Sequence, residues 1–181
     1  MNLTVDRDTV ISRLLGANDI LILCHKNPDG DTIGSGTALC LALQRLGKTA
    51  SVLCSDPIPA MYSYMPIPLF DGSYTPAFVV AVDVAGIQLF GDRNHIQEYA
   101  EHVDLCIDHH GSNSGFALET LVEPEAAAAA ELLTSLIPAM GVELTPDIAA
   151  CLYTGLATDT GCFRFTNTTA ATHRAAAALI E

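Results

Sequence analysis

Apolar residues recur along this chain in two alternating spacings. Val5, Val10, Ile11, Leu14 and Leu15 fall near helical spacing, and Gly16 follows as a stop, which predicts an opening helix. Ile20-Leu-Ile-Leu23 is an unbroken apolar run, the mark of a strand covered on both faces. A helix over 32–46 follows, closed by Gly47, and 49–54 predicts a second strand. Phe78-Val-Val-Ala-Val82 and Val103-Asp-Leu-Cys-Ile107 repeat the buried-strand pattern. The alanine-rich stretch 123–140, with Pro124 near its first turn and Gly141 past its end, predicts a helix. Thr145-Pro146 caps and opens the next helix, which runs toward Thr158-Asp-Thr-Gly161. Thr166-Asn-Thr168 is the expected cap of a last helix over 170–180. Short buried strands alternating with helices predict an α/β fold: a three-layer, doubly wound, mostly parallel five-stranded sheet with helices on both faces.

Between Ser55 and Pro76 lie five prolines, at 57, 59, 66, 68 and 76. A loop this long inside a domain is usually functional or mobile. Self-packing is the expectation, with ligand contact by Tyr62, Tyr64 and Tyr74 as the alternative. Gly34 and Gly36 near the start of the first long helix are read as close helix–sheet packing, ahead of phosphate approach at a helix N-terminus.

Composition narrows the class. The chain has 181 residues, half of them hydrophobic, enough for one domain with a real core. No apolar run approaches the ~20 residues that span a bilayer, and Met1–Asp6 does not read as a signal peptide. The six cysteines form no C-x-x-C pair and are read as reduced core residues of a cytoplasmic protein. A formal net charge of −13 repels long nucleic acids, and it is also what clustered metal-binding carboxylates look like before the metal is counted.

Chemistry collects where strands end. The first strand runs into Cys24-His25, then a turn with Asp29 and Asp31; the third ends in Asp83; the fourth ends in Asp108-His109-His110. A single polar residue at a strand end is unremarkable, and Asp-Gly-Asp on its own fits a solvated turn with Asp31 as helix cap. Three successive strands ending in acid or histidine converge along one edge of a parallel sheet. Asp159 joins them from a helix end, where a carboxylate opposes the macrodipole and so needs a cation as partner. His95 and His102 fall in a polar connection and are read as surface residues. The set His25, Asp29, Asp31, Asp83, His109, His110 and Asp159 offers imidazole and carboxylate without thiolate. That suits a hard or borderline divalent ion, and one ion leaves so many carboxylates under-neutralised whereas two sharing a carboxylate do not.

His25-Lys-Asn-Pro-Asp-Gly-Asp31, Val82-Asp83, Asp108-His-His110 and Thr158-Asp-Thr-Gly161 resemble, in order and spacing, the four motifs of the DHH phosphoesterases. The segments 27–35 and 158–168 are similar to the branch containing nano-RNases, 3′-phosphoadenosine-5′-phosphate (pAp) phosphatases and phosphodiesterases acting on cyclic-dinucleotide products. The resemblance covers nearly the whole chain, 1–181, as a DHH catalytic domain. It implies that His25 and Asp29 bind one Mn²⁺, that Asp31, His109 and Asp159 bind another, and that Asp83 bridges both, with Mg²⁺ or Co²⁺ as alternative metals. It implies that His110 faces the scissile phosphate and that Asp108 orients the neighbouring imidazole; Arg164 is a candidate for phosphate contact, with a surface or salt-bridged arginine as the alternative. The implied activity is hydrolysis of phosphodiester or phosphomonoester bonds in short oligoribonucleotides or small nucleotides, through a hydroxide activated between the two ions. The implied partner is a small nucleotide or short oligonucleotide, with no long nucleic acid and no membrane; a homodimer is left open. The alternatives are an inorganic pyrophosphatase of the same superfamily and a metal-dependent nucleotide-binding module without turnover. Members of this branch usually continue into a C-terminal substrate-binding domain, DHHA1, to which nothing here corresponds. The expectation is therefore the catalytic half of a longer protein or a shortened form of one.

Overall fold

The computed structural model describes residues 2–181. Six strands form one all-parallel sheet: β1 (Leu3–Thr4), β2 (Ile20–Leu23), β3 (Ala50–Leu53), β4 (Phe78–Val82), β5 (Leu105–Asp108) and β6 (Glu119–Val122), in the order β1-β6-β5-β4-β2-β3. The sheet therefore has six strands where five were expected. β6 reads Glu-Thr-Leu-Val and β1 is two exposed residues, so neither carries an apolar run. Backbone pairing recruits them, β6 between β5 and β1 and β1 at the sheet edge.

The helices are α1 (Arg7–Gly16), α2 (Gly30–Arg45), α3 (Gln97–Ala100), α4 (Ala129–Ala139), α5 (Pro146–Asp159) and α6 (Ala170–Ala178). Alternation along each strand sorts the core into two layers. Ile20, Ile22, Val80, Val82, Leu105 and Ile107 meet the side chains of α1, α2, α4, α5 and α6. Leu21, Leu23, Val79, Ala81 and Cys106 meet Phe90, Ile96 and Ala100 on the other face. Helices lie on both faces, as expected, but unequally: the second face carries the single turn of α3 and loop segments.

The long loop after β3 is self-packed. Tyr62 and Met65 are buried, the Tyr74 hydroxyl donates to the Ile20 carbonyl at 2.6 Å, and Val52 exchanges hydrogen bonds with Pro68 and Phe70, which covers the β3 edge. All six cysteines are free; five are buried and Cys162 is exposed. No helix among the described residues is long and apolar enough to cross a membrane.

Two boundaries differ from expectation. α4 begins at Ala129, not near Glu123, and α6 is capped by Thr169, which forms a reciprocal pair with Thr172. Thr166–Thr168 lies before that cap, and its Asn167 is used elsewhere.

Candidate metal centre

The chain runs from β2 through α2 to β3 on one side and then returns to β4 on the other side of β2. Strand order reverses there, and open α/β sheets bind ligands at that crevice, beyond the strands' carboxyl ends. Register then levels the side chains: Leu23 pairs with Ala81 and Val82 with Ile107. His25, Asp83 and Asp108 consequently stand at one height on three adjacent strands, with His109 one residue beyond.

Asp83 follows β4 with φ of 59°, a left-handed conformation that costs an L-residue roughly 1–2 kcal/mol and that aspartate tolerates better than most. Its N–H donates to the Ile107 carbonyl at 3.0 Å, which holds the bend. Thr32, at the start of α2, ties the neighbouring strand ends together: its hydroxyl donates to the Val82 carbonyl at 3.1 Å and accepts from the His25 N–H at 3.3 Å. Asp29, not Asp31, is the α2 cap, accepting from the N–H groups of Asp31 and Thr32.

Asp31 is freed from capping its own helix and caps another. It is fully buried and accepts from the N–H groups of Ala129 (2.7 Å) and Ala130 (3.0 Å) at the start of α4, and from the Ser35 hydroxyl at 2.9 Å. No side chain of α4's own entry caps it, so the carboxylate of a distant residue meets the positive end of the helix. α2 and α5 come close enough for this because of glycine. A Cβ on Gly34 would lie 2.3 Å from the Cys151 carbonyl oxygen, and one on Gly155 would lie 2.7 Å from Asp31 Oδ1. The helix–sheet packing expected of both Gly34 and Gly36 holds for Gly36, where a Cβ would meet Cys24 Sγ at 2.8 Å, whereas Gly34 packs on helix α5.

The seven residues gather into two triads joined by a third, Asp83, His109 and His110, which takes one member from each. His25, Asp29 and Asp83 can offer ligand atoms within 4.8 Å of one another, and so can Asp31, His109 and Asp159. His25 Nε2 lies 3.6 Å from Asp29 and 3.7 Å from Asp83; His109 Nε2 lies 3.2 Å from Asp159, 3.4 Å from Asp83 and 3.8 Å from Asp31. Asp83 therefore faces both triads.

The donor set fits divalent cations on two observations. Both imidazoles use Nδ1 on a backbone carbonyl, His25 on Lys26 at 2.7 Å and His109 on Ala126 at 3.2 Å, which directs Nε2 into the cluster as the free ligand atom. His109 Nε2 and Asp83 Oδ1 are buried without a hydrogen-bond partner. The field is strongly negative. Burial, then Asp83 and Asp159, pushes the Asp31 carboxyl well up. Burial works against a charge on His109, yet Asp159 and Asp83 push its imidazole up to about 11; His25 is likewise raised to about 9, chiefly by Asp29 against burial. In the absence of metal, protons on imidazole supply the positive charge.

His110 and Asp108 stand beside the triads. Asp108 is fully buried; its Oδ1 accepts from His110 Nδ1 at 2.7 Å and from the His109 and His110 N–H groups, and its Oδ2 accepts from Asn113 Nδ2 at 2.6 Å. Nδ1 is thereby occupied and the partly exposed ring presents Nε2 outward. Asp108 raises the His110 pKa. Arg164 is not drawn into the cluster. It is exposed, and its Nε donates to the Gly161 carbonyl at 2.9 Å.

Residues 19–156 match the DHH family, N-terminal domain. The chain belongs to the DHH family. It is 36% identical over 176 residues to the bifunctional oligoribonuclease and PAP phosphatase NrnA of Thermus thermophilus, covering 89% of this chain and 49% of that protein. The chain spans about half the length of the curated relatives it matches. In three dimensions it is similar to an exopolyphosphatase-related protein of Bacteroides fragilis, with a TM-score of 0.82 at 25% identity over 96% of this chain and 56% of that one. A putative family II inorganic pyrophosphatase of Methanococcus jannaschii shares the fold, with a TM-score of 0.61 at 21% identity over 88% of this chain and 55% of that one.

Four polar side chains around the DHH-family cluster were not singled out from sequence: Thr32, Ser35, Asn113 and Asn167. Asn167 donates to the Ala127 and Asp159 carbonyls, both at 3.1 Å, and so joins the α4 entry to the end of α5. Ser35 is four residues after Asp31 on one helix face, a spacing that could have found it. Asn113 has no periodic signal.

Proposed function

We propose that this chain forms the catalytic half of a two-metal phosphoesterase acting on short oligoribonucleotides or small nucleotides such as pAp, with Mn²⁺ as the preferred metal. One observation carries the reading: Asp83 lies between two imidazole–carboxylate triads at the sheet's switch point, 3.7 Å from His25 Nε2 and 3.4 Å from His109 Nε2. His25, Asp29 and Asp83 would hold one ion, and Asp31, His109, Asp159 and Asp83 the other. The chemistry supplied by a bound pair of divalent cations is acidification of a water toward neutrality and neutralisation of charge that develops on phosphate oxygens. The chain's own contribution is positioning and proton supply. Asp108 fixes the His110 ring by accepting from Nδ1, and its negative charge favours the protonated imidazole, whose Nε2 would then donate. That proton meets a phosphate or leaving oxygen. Asp31, pinned by two backbone N–H groups and Ser35, keeps its geometry when the charge nearby changes.

Inorganic pyrophosphatase is the second reading, supported by the shared fold of the archaeal protein. A hydrolysis panel on the intact protein tests both, with pyrophosphate, pAp and a diribonucleotide, each with Mn²⁺, Mg²⁺ or Co²⁺. Turnover of pAp or the dinucleotide, greatest with Mn²⁺ and lost in Asp83→Asn, is the expected result. Pyrophosphate turnover alone overturns the substrate class. Nucleotide binding without turnover overturns the enzyme reading.

A further inference from the structure

A cleft of about 490 Å³ lies beside the triads and is used by nothing described so far. Met61, Tyr62 and Tyr64, from the loop after β3, form one side; Tyr153 and Thr158, on one face of α5, form the other; Arg164 closes the end. The wall leads directly to the cluster. Thr158 packs on Gly30, where a Cβ would meet its Oγ1 at 2.3 Å, and the next residue along α5 is Asp159. The Asp29 charge reaches the Tyr62 hydroxyl and adds to the burial that raises its pKa.

The lining has a definite chemistry. Arg164 is its one charged side chain, in a protein of net charge −13. Three phenol rings and a thioether make the rest largely apolar and flat. Met61 is 69% exposed and Tyr64 60% exposed, large apolar groups that water surrounds at the mouth. Tyr64 is nonetheless fixed, its hydroxyl 2.5 Å from Thr154 Oγ1 across the cleft. The Arg164 end is held by an unusual turn. Gly161, Cys162 and Phe163 have φ of 55°, 57° and 62°, left-handed at three successive residues, two of which bear side chains. Buried Thr160 holds them, accepting from the Phe163 N–H on its hydroxyl and from the Arg164 and Phe165 N–H groups on its carbonyl.

We infer that this cleft is a nucleobase subsite, in which one base of the substrate stacks against Tyr64 while its phosphate lies at the triads. The inference rests on the phosphoesterase reading and adds where the base goes. A volume of about 490 Å³, inside the roughly 300–1,000 Å³ range of small-ligand pockets, has room for a nucleoside. A neutral planar ring suits these walls; a second phosphate, with only Arg164 to meet it, does not. Stacking on an aromatic ring is worth roughly 1–3 kcal/mol per base, and it tolerates any base because every base has a π-face.

The test uses the intact protein and reads tyrosine emission, to which Tyr62, Tyr64 and Tyr153 of the cleft contribute. Adenosine monophosphate is expected to quench tyrosine fluorescence and ribose 5-phosphate is not. Tyr64→Ala raises the adenosine monophosphate Kd about tenfold, whereas Tyr64→Phe, which keeps the ring, stays within about twofold of the parent. In turnover, Tyr64→Ala raises KM for a diribonucleotide about tenfold with little change in kcat, and leaves KM unchanged for an analogue lacking one base. Equal KM in parent and Tyr64→Ala overturns the subsite, as does equal quenching by ribose 5-phosphate. If a further part of a longer chain covers Tyr64, adenosine monophosphate fails to quench, which also overturns it. Absence of turnover in the parent with quenching retained sinks the phosphoesterase reading and leaves the subsite standing.

Discussion

Replacing Asp83 by asparagine separates what holds this fold together from what the site is for. The side chain is buried and faces both triads, so its carboxylate sits in the field of Asp29 and Asp159 with one oxygen unpartnered. Burial and those carboxylates raise its pKa to about 6, while the His109 imidazole beside it pulls the other way. An isosteric amide keeps the volume and gives up both the repulsion and the attraction, so the metal-free variant is expected to melt close to the parent temperature. With metal the two separate. Free Mn²⁺ at 100 times Kd stabilises a one-site protein by about 2.7 kcal/mol, and for a chain of this size each kcal/mol moves Tm by about 2–4 °C, giving a rise of about 5–11 °C. A hundredfold loss of affinity on removing the shared ligand leaves about 0.4 kcal/mol at the same metal concentration, or about 1–2 °C. Thermal melts in EDTA and in Mn²⁺ measure both numbers. Arg164→Ala, on an exposed side chain outside the triads, is expected to keep the full rise. An Asp83→Asn variant that keeps it too would falsify the shared-ligand geometry, and a metal-free melt lowered by several kcal/mol would show that Asp83 serves the fold.

Gly34→Ala and Gly16→Ala are expected to move stability in opposite directions. The first drives a methyl to 2.3 Å from a backbone carbonyl at the α2–α5 crossing and costs about 1–3 kcal/mol even after the gain in helix propensity; the second has nothing within 4 Å and gains up to about 1 kcal/mol, and paired urea titrations read both. Asn113→Ala leaves Asp108 Oδ2 without its 2.6 Å donor, which costs about 1–3 kcal/mol, and in the intact protein it lowers kcat with little change in KM because His110 loses its orientation. Thr169→Ala removes the α6 cap, costs about 1 kcal/mol or about 2–4 °C, and leaves the Mn²⁺-dependent rise untouched.

How much the sequence shows depends on whether the cause of a feature is local. β2, β4 and β5 were legible because central strands of a parallel sheet are apolar on both faces, and Asp83, Asp108 and His25 stood out as the polar residues that end them. The convergence of His25, Asp29, Asp31, Asp83, His109 and Asp159 followed from that edge. β1 and β6 were missed because neither has an apolar run and strand pairing itself is written in backbone groups that every residue has. The start of α4 was missed for a related reason. Its entry carries no cap of its own, and the carboxylate that caps it is Asp31, 98 residues earlier in the chain. That bond explains why a buried acid survives at the end of a long loop-closing path. The N–H groups of α4 hold Asp31 in place, and they also draw off part of its negative charge, so the residue can face Asp83 and Asp159 without metal. Two backbone donors on one helix, two histidines tied to carbonyls, and a pair of glycines that let α2 and α5 touch keep these four carboxylates together.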